Sequence, residues 1–214
     1  EETTIPRLRV SSLQPQEISD ELIRLWDNDR LCPHFHLPLQ SGSSTVLSRM
    51  RRRYSVAEYR QAVEKIRARL PSAAITADVI VGFPGETEKQ FTDTYNLCKE
   101  IKFANLHLFP YSSRPGTSAY YLSNKVASKE IRTRMNLMLS LAKLQSADYR
   151  KSILGTTSKV LWETHKKIGN DTTWSGLTDN YIRVATTSDK SLRNVITSVG
   201  LEKFTNGVVW ARIL

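Results

Sequence analysis

Up to Leu154, short apolar runs alternate with stretches whose apolar residues recur every three or four positions, the pattern of strand followed by helix. Residues 7–12 (RLRVSS) are predicted as a short strand, and Pro15 opens a predicted helix over about 16–28 with Ile18, Leu22, Leu25 and Trp26 on one face. A second strand is predicted over 34–39 (HFHLPL), with a short helix over 44–51 after it. Ser55 and Glu58 form a capping box for a helix to Leu70, striped by Tyr59, Ala62, Val63, Ile66 and Leu70. The run AITADVIVGF (74–83) is a third strand, apolar enough to be covered on both faces. Pro84-Gly85 breaks it, and Thr87 with Gln90 caps a helix lined by Phe91, Tyr95, Cys98 and Ile101. NLHLFP (105–110) is a fourth strand; a loop over 111–127 leads to a long helix from Ser128 to about Leu154.

Strand and helix in alternation with short connections predict a parallel sheet. The pattern is shared by an open doubly wound layer and an arc of a barrel. Both place ligands at the carboxyl ends of the strands. Four segments lie there: 11–14, 40–43, 82–86 and 111–117.

From Gly155 the texture changes. Short β-rich runs at 157–162, 181–187, 195–201 and 207–214 are separated by turn signals at Gly169-Asn170, Ser175-Gly176, Asp179-Asn180, Ser188-Asp189 and Asn206-Gly207. They predict a small antiparallel β-barrel of the oligonucleotide-binding type over 155–214, after a unit spanning 1–154.

Composition adds a partner class. The 214 residues carry 31 Lys and Arg against 21 Asp and Glu, a net charge of +10, which favours anionic partners, nucleic acid first. No apolar run approaches the roughly 20 residues of a membrane-spanning helix. Cys32 and Cys98 are the only cysteines; they form no Cys-x-x-Cys pair, and no metal ligand set is predicted. With no signal peptide evident, a reducing cytoplasm is expected.

Within the strand-end segments, Gly82-Phe83-Pro84-Gly85-Glu86 opens a helix, where backbone amides attract anions; it is also a tight strand-to-helix turn, and its spacing is not that of a phosphate loop. A Ser–His hydrolase fails for want of a nucleophile elbow and an evident Asp partner for His36. Asp78, the one acid inside its strand, is either a site residue or an ion-pair partner. Arg49, Arg51, Arg52 and Arg53 form either a phosphate-contacting patch or a solvated face. In the C-terminal unit Lys159, Lys166, Lys167, Arg183 and Arg193 interleave with Trp162, Trp174 and Tyr181, which suits looped RNA or, for the aromatics, a packed core.

Read together, RVSSLQPQEI (9–18), HLPLQSGSSTVLSRMRRRY (36–54), TADVIVGFPGETEKQF (76–91) and LHLFPYSSRPGTSA (106–119) resemble the radical S-adenosylmethionine methylthiotransferases, and the C-terminal unit is similar to their RNA-binding TRAM domain. His107, Phe109 and Pro110 before Tyr111-Ser112, with Leu177 to Tyr181, look most like the branch acting on threonylcarbamoyladenosine in tRNA. The isopentenyladenosine-tRNA and ribosomal-protein branches are the near alternatives. The resemblance implies half of a TIM-like barrel with outer helices, followed by the TRAM-like barrel. It implies S-adenosylmethionine and two [4Fe-4S] clusters as cofactors of the full enzyme, and the tRNA anticodon stem-loop as partner. The family's Cys-x3-Cys-x2-Cys motif and the three cysteines of its N-terminal domain are absent. The chain is therefore expected to be a C-terminal fragment, inactive alone, with a non-catalytic RNA-binding module as the reading from a different class.

By position, the resemblance implies that Ser11, Ser12, Gln40 and Ser41 hold the ribose and amino-acid parts of the cofactor, with Gly82 and Phe83 beside its adenine. Asp78, Tyr111, Arg114 and Thr117 are implied to meet the substrate base, which must leave its stack to be reached. Arg51, Arg52, Lys159, Lys166 and Arg183 are implied to meet RNA phosphates.

Overall fold

The computed structural model describes residues 3–168 and 171–214. Three parallel strands, β1 (His34–His36), β2 (Ala74–Val81) and β3 (Asn105–Pro110), form a sheet in chain order. Along β2, Ile75, Ala77, Val79 and Val81 are buried, while the alternate positions Thr76, Asp78 and Ile80 point to the opposite face. The buried face is covered by helices. Between β1 and β2 run α2 (Ser44–Arg49) and α3 (Val56–Arg69), after the short α1 (Asp20–Arg24) that precedes the sheet; α4 (Glu88–Ile101) joins β2 to β3, and α5 (Ser128–Ser152) follows. Both predicted capping boxes are present, Ser55 with Glu58 and Thr87 with Gln90. The α3 stripe is buried at Tyr59, Ala62, Val63 and Ile66, and the Tyr59 hydroxyl donates to Leu37 O at 2.8 Å. Met138, Leu141 and Ala142 of α5 complete this core.

Two expectations fail near the N-terminus. Residues 7–12 are not a strand: only Leu8 pairs, with Leu31, and Ser12 adopts a left-handed φ of 61° that ends the extended run. The helix expected over 16–28 is broken into a 3-10 turn (Pro15–Glu17), α1 and a second 3-10 turn (Leu25–Asp27). Ser19 breaks it, because its hydroxyl accepts the Leu22 N–H at 3.1 Å and caps a new start. The apolar face rotates in consequence; Ile18, Ile23 and Trp26 are buried, whereas Leu25 is exposed.

The C-terminal unit is a closed barrel of β4 (Thr157–Ile168), β5 (Asp171–Thr178), β6 (Arg183–Thr187), β7 (Ile196–Thr205) and β8 (Val208–Ile213), in the order β4-β5-β6-β8-β7. It is mixed rather than wholly antiparallel, because β6 and β8 pair in parallel. β5 was not expected. Its Ser175-Gly176 reads as a turn, yet Gly176 lies mid-strand, where an added Cβ would stand 2.5 Å from Leu161 O; the glycine permits a close strand approach. Asn206-Gly207 is a turn between β7 and β8, and the Gly169-Asn170 signal lies outside the described residues. Trp162 and Trp174 belong to the barrel core, so the packing reading of those aromatics holds.

The barrel docks at the amino ends of the parallel strands. Arg7 donates to Leu177 O and Thr178 O at 3.0 and 2.5 Å, and Tyr149 of α5 donates to Ser72 O at 2.9 Å while accepting from Asn180 at 3.0 Å. The Arg9 guanidinium lies 4.0 Å over the Tyr181 ring, and the Tyr181 ring packs 5.1 Å from that of His34. Arg9 Nε donates to His34 Nδ1 at 3.1 Å, which requires a neutral, accepting imidazole. Burial, then the nearby charges of Arg9 and His36, push the His34 pKa down to about 4 from 6.5. A depressed histidine contributes stability that is present above the unfolded value and lost as pH falls through the folded one. Urea unfolding is therefore expected to show about 3 kcal/mol of stability lost between pH 6.5 and 4, with His34→Gln flattening that slope.

A candidate active site at the carboxyl ends of the strands

β2 ends in a turn built around two positive-φ glycines, Gly82 (81°) and Gly85 (75°). Glu86 turns its carboxylate inward, where Oε2 accepts the Gly82 N–H at 2.9 Å and Arg134 Nη1 of α5 at 2.8 Å. The Arg134 and Glu86 side chains are 2% and 1% exposed. Burial pushes the Glu86 carboxyl up, against the opposing pull of the Gly82 amide and Arg134. Arg134 also donates to Glu86 O, Glu88 and Glu130 and lies over the Phe91 ring. From the other side Arg49 donates to Pro84 O at 3.1 Å and Gln90 Oε1 at 2.9 Å. Arg49 thus props the turn, leaving Arg51, Arg52 and Arg53 as the exposed members of that run.

Beside this turn, Phe83 meets Tyr111 edge to face, with ring centroids 5.5 Å apart. The Tyr111 backbone N–H is held by Val81 O at 2.8 Å, while its hydroxyl is buried with no partner among the described residues. On the concave face of the sheet, Asp78 lies between two histidines. His36 Nε2 stands 3.3 Å from Asp78 Oδ2, and His107 Nδ1 3.2 Å from Oδ1; His36 Nδ1 is 3.0 Å from Thr76 Oγ1. The Asp partner that His36 lacks in sequence is supplied by the neighbouring strand. His107 was legible only as a family-like position; the parallel register that sets it beside Asp78 carries no local signal.

The other anticipated residues divide into engaged and open groups. Ser41 is fully buried, its hydroxyl 3.1 Å from Thr94 Oγ1 and accepting the Ser43 N–H at 3.2 Å, so it packs its loop onto α4 instead of facing the open end. Gln40 has a φ of 62° and bridges Val79, its N–H donating to Asp78 O at 2.7 Å. Ser11 and Ser12 are exposed, as are Arg114 and Thr117, where Thr117 Oγ1 donates to Arg114 O at 2.8 Å. On the C-terminal barrel Lys159 pairs with Asp29 at 3.3 Å and Arg183 with Glu163 at 3.1 Å, while Lys166 is exposed.

Residues 6–98 match the radical SAM superfamily. Over 204 residues the chain is 38% identical to the threonylcarbamoyladenosine tRNA methylthiotransferase MtaB of Bacillus subtilis (strain 168), covering 93% of this chain and 45% of that protein. The chain belongs to the radical SAM methylthiotransferase family. The Thermotoga maritima protein of the same name is 38% identical over 178 residues, 83% of this chain and 40% of its own length. A tRNA-2-methylthio-N(6)-dimethylallyladenosine synthase from Nocardia farcinica is 39% identical over 158 residues, 73% of this chain and 31% of its own. The chain thus spans less than half the length of these methylthiotransferases. Coproporphyrinogen III oxidase HemN from Escherichia coli shares the fold, with a TM-score of 0.55 at 10% identity, covering 81% of this chain and 46% of that one.

Membership of this superfamily implies S-adenosylmethionine and iron–sulfur chemistry. Cys32 and Cys98, the only two cysteines, are buried and unlinked, so the residues present do not fit a cluster. The strand ends do fit an adenine-bearing ligand, with the Phe83–Tyr111 rings, the unpartnered Tyr111 hydroxyl and the backbone of Gly82 converging there.

The glycine turn is sterically closed at Gly82, where an added Cβ would stand 2.5 Å from Ile131 Cγ1. Gly82→Ala is expected to cost about 2–4 kcal/mol by denaturant unfolding, part from φ and part from overpacking. In a double-mutant cycle Ile131→Ala should recover only the packing share.

Proposed function

We propose that this chain is the second half of the catalytic barrel (1–154) and the TRAM-like RNA-binding barrel (155–214) of a cytoplasmic tRNA methylthiotransferase, acting on N6-threonylcarbamoyladenosine beside the anticodon. The observation that carries this reading is the 93% of the chain aligned with a relative of that name. S-adenosylmethionine, when bound, supplies the radical chemistry, and the ligands of two [4Fe-4S] clusters lie outside the residues of this chain. The residues here position and shield. Phe83, Tyr111 and the Gly82 backbone flank the cofactor's adenine, with Ser11, Ser12 and Gln40 as polar edges. Tyr111, Arg114 and Thr117 meet the substrate base once it is unstacked, with Asp78 on the concave face behind them.

Geometry adds a demand on the RNA. The C-terminal barrel docks at the amino ends of the strands, and β2 alone has eight residues, roughly 25 Å in length. An RNA that touches Lys166 or Arg183 and also presents a base at Arg114 must span the sheet, as a folded stem-loop would. Exposed Arg51 and Arg52 lie at the carboxyl-end rim, between Arg49, which contacts Pro84 O, and Tyr54, which contacts Pro38 O, and the net charge of +10 supplies the sequence-independent attraction. Among the described residues no helix is long and apolar enough to cross a membrane. The missing cluster cysteines keep a second reading in view, in which the isolated chain binds RNA without catalysis.

Mass spectrometry of tRNA nucleosides from source cells with and without the gene tests this proposal. Selective loss of 2-methylthio-N6-threonylcarbamoyladenosine is expected. Loss of the isopentenyl counterpart would move the assignment to that branch, and no change in either would overturn it.

A further inference from the structure

His36, Asp78 and His107 come from three adjacent strands, and one ligand atom from each lies within 4.8 Å of the others. The carboxylate offers one oxygen to each ring, Oδ2 at 3.3 Å from His36 Nε2 and Oδ1 at 3.2 Å from His107 Nδ1. Charge-assisted hydrogen bonds run about 2.7–2.9 Å. Two donors bound at about 2.0–2.1 Å to one tetrahedral ion stand roughly 3.3 Å apart. We propose that these three residues bind a single divalent transition-metal cation of the zinc or ferrous class, on the concave face of the sheet and apart from any cysteine.

Four further features support the site. The Thr76 hydroxyl stands 3.0 Å from His36 Nδ1; with Nδ1 as the donor of that bond, the Nε2 lone pair faces Asp78 and the two acceptors can share a cation. Such an outer partner for a ligating histidine is the usual companion of a metal site. Asp78 and His107 are direct register partners on parallel strands, so the ligands sit on rigid elements. Among the described residues Asp78 has no Lys or Arg partner, although the chain carries 31 of them. Lastly, the Asp78 and His107 side chains are 27% and 48% exposed, which leaves an entry path and open positions for water or a substrate oxygen. Two imidazoles and one carboxylate select zinc, ferrous or cobaltous ions over magnesium, which prefers all-oxygen sites.

The test is calorimetric titration of the chelator-stripped 214-residue chain with Zn2+, repeated with Co2+ while its visible absorption is followed. One equivalent is expected to bind, unaffected by excess Mg2+. Thr76→Val should weaken binding about 10–100-fold, the usual effect of losing an outer partner, and His107→Ala and Asp78→Asn should weaken it more than that. His107 is half exposed, so its variant should retain the wild-type circular dichroism and melting temperature, separating ligand loss from unfolding. Equal affinity in the folded His107→Ala variant, or no saturable binding to the folded wild-type chain, would overturn the proposal and leave an ordinary hydrogen-bonded triad.

Discussion

The ion pair between Glu86 and Arg134 is the constraint on which the strand-end site depends. Both side chains are almost wholly excluded from solvent, so each carries a desolvation cost that only its partners offset. Removing one partner of such a pair costs about 3–5 kcal/mol, because the other is left charged and buried. The pair does more than hold α5 against the β2 turn. The same Glu86 oxygen accepts the Gly82 N–H, so the positive-φ glycine, Phe83 beyond it and the Tyr111 ring against Phe83 are placed by one carboxylate. Arg49 closes the turn from the opposite side through Pro84 O and Gln90.

Local and non-local features differ in how far they could be read from residues alone. The capping boxes at Ser55 and Thr87 were legible because cap and partner lie three residues apart, and β2 was legible because its covered face is continuously apolar. Glu86 and Arg134 are 48 residues apart, and nothing near either one announces the other. Asp78 was legible as an anomaly, an acid inside an apolar strand, yet its two histidine neighbours come from adjacent strands and were visible only in the register. The strand at 7–12 failed because an extended composition does not provide a neighbour to pair with. β5 was missed because a glycine that permits close strand approach has the same letter as one that makes a turn.

The family match and the geometry carry different parts of the account. Alignment with methylthiotransferases places the chain in its family, but less than half of those proteins is represented here. What the chain contributes is an asymmetric scaffold. The small barrel and Tyr181 occupy the amino ends of the parallel strands, the glycine turn and aromatic pair occupy the carboxyl ends, and the His–Asp–His cluster lies on the concave face between them.

Native-state hydrogen exchange at the Gly82 amide tests the central role of the buried pair most directly. Comparing wild type with Arg134→Met, the Gly82 amide should lose protection far beyond the global loss of stability, as the turn opens locally. Amides within β2 itself, such as Ile80, which donates to Gln40 O, should fall only with global stability. If Gly82 and Ile80 lose protection equally, the pair stabilises the fold as a whole and does not organise the site.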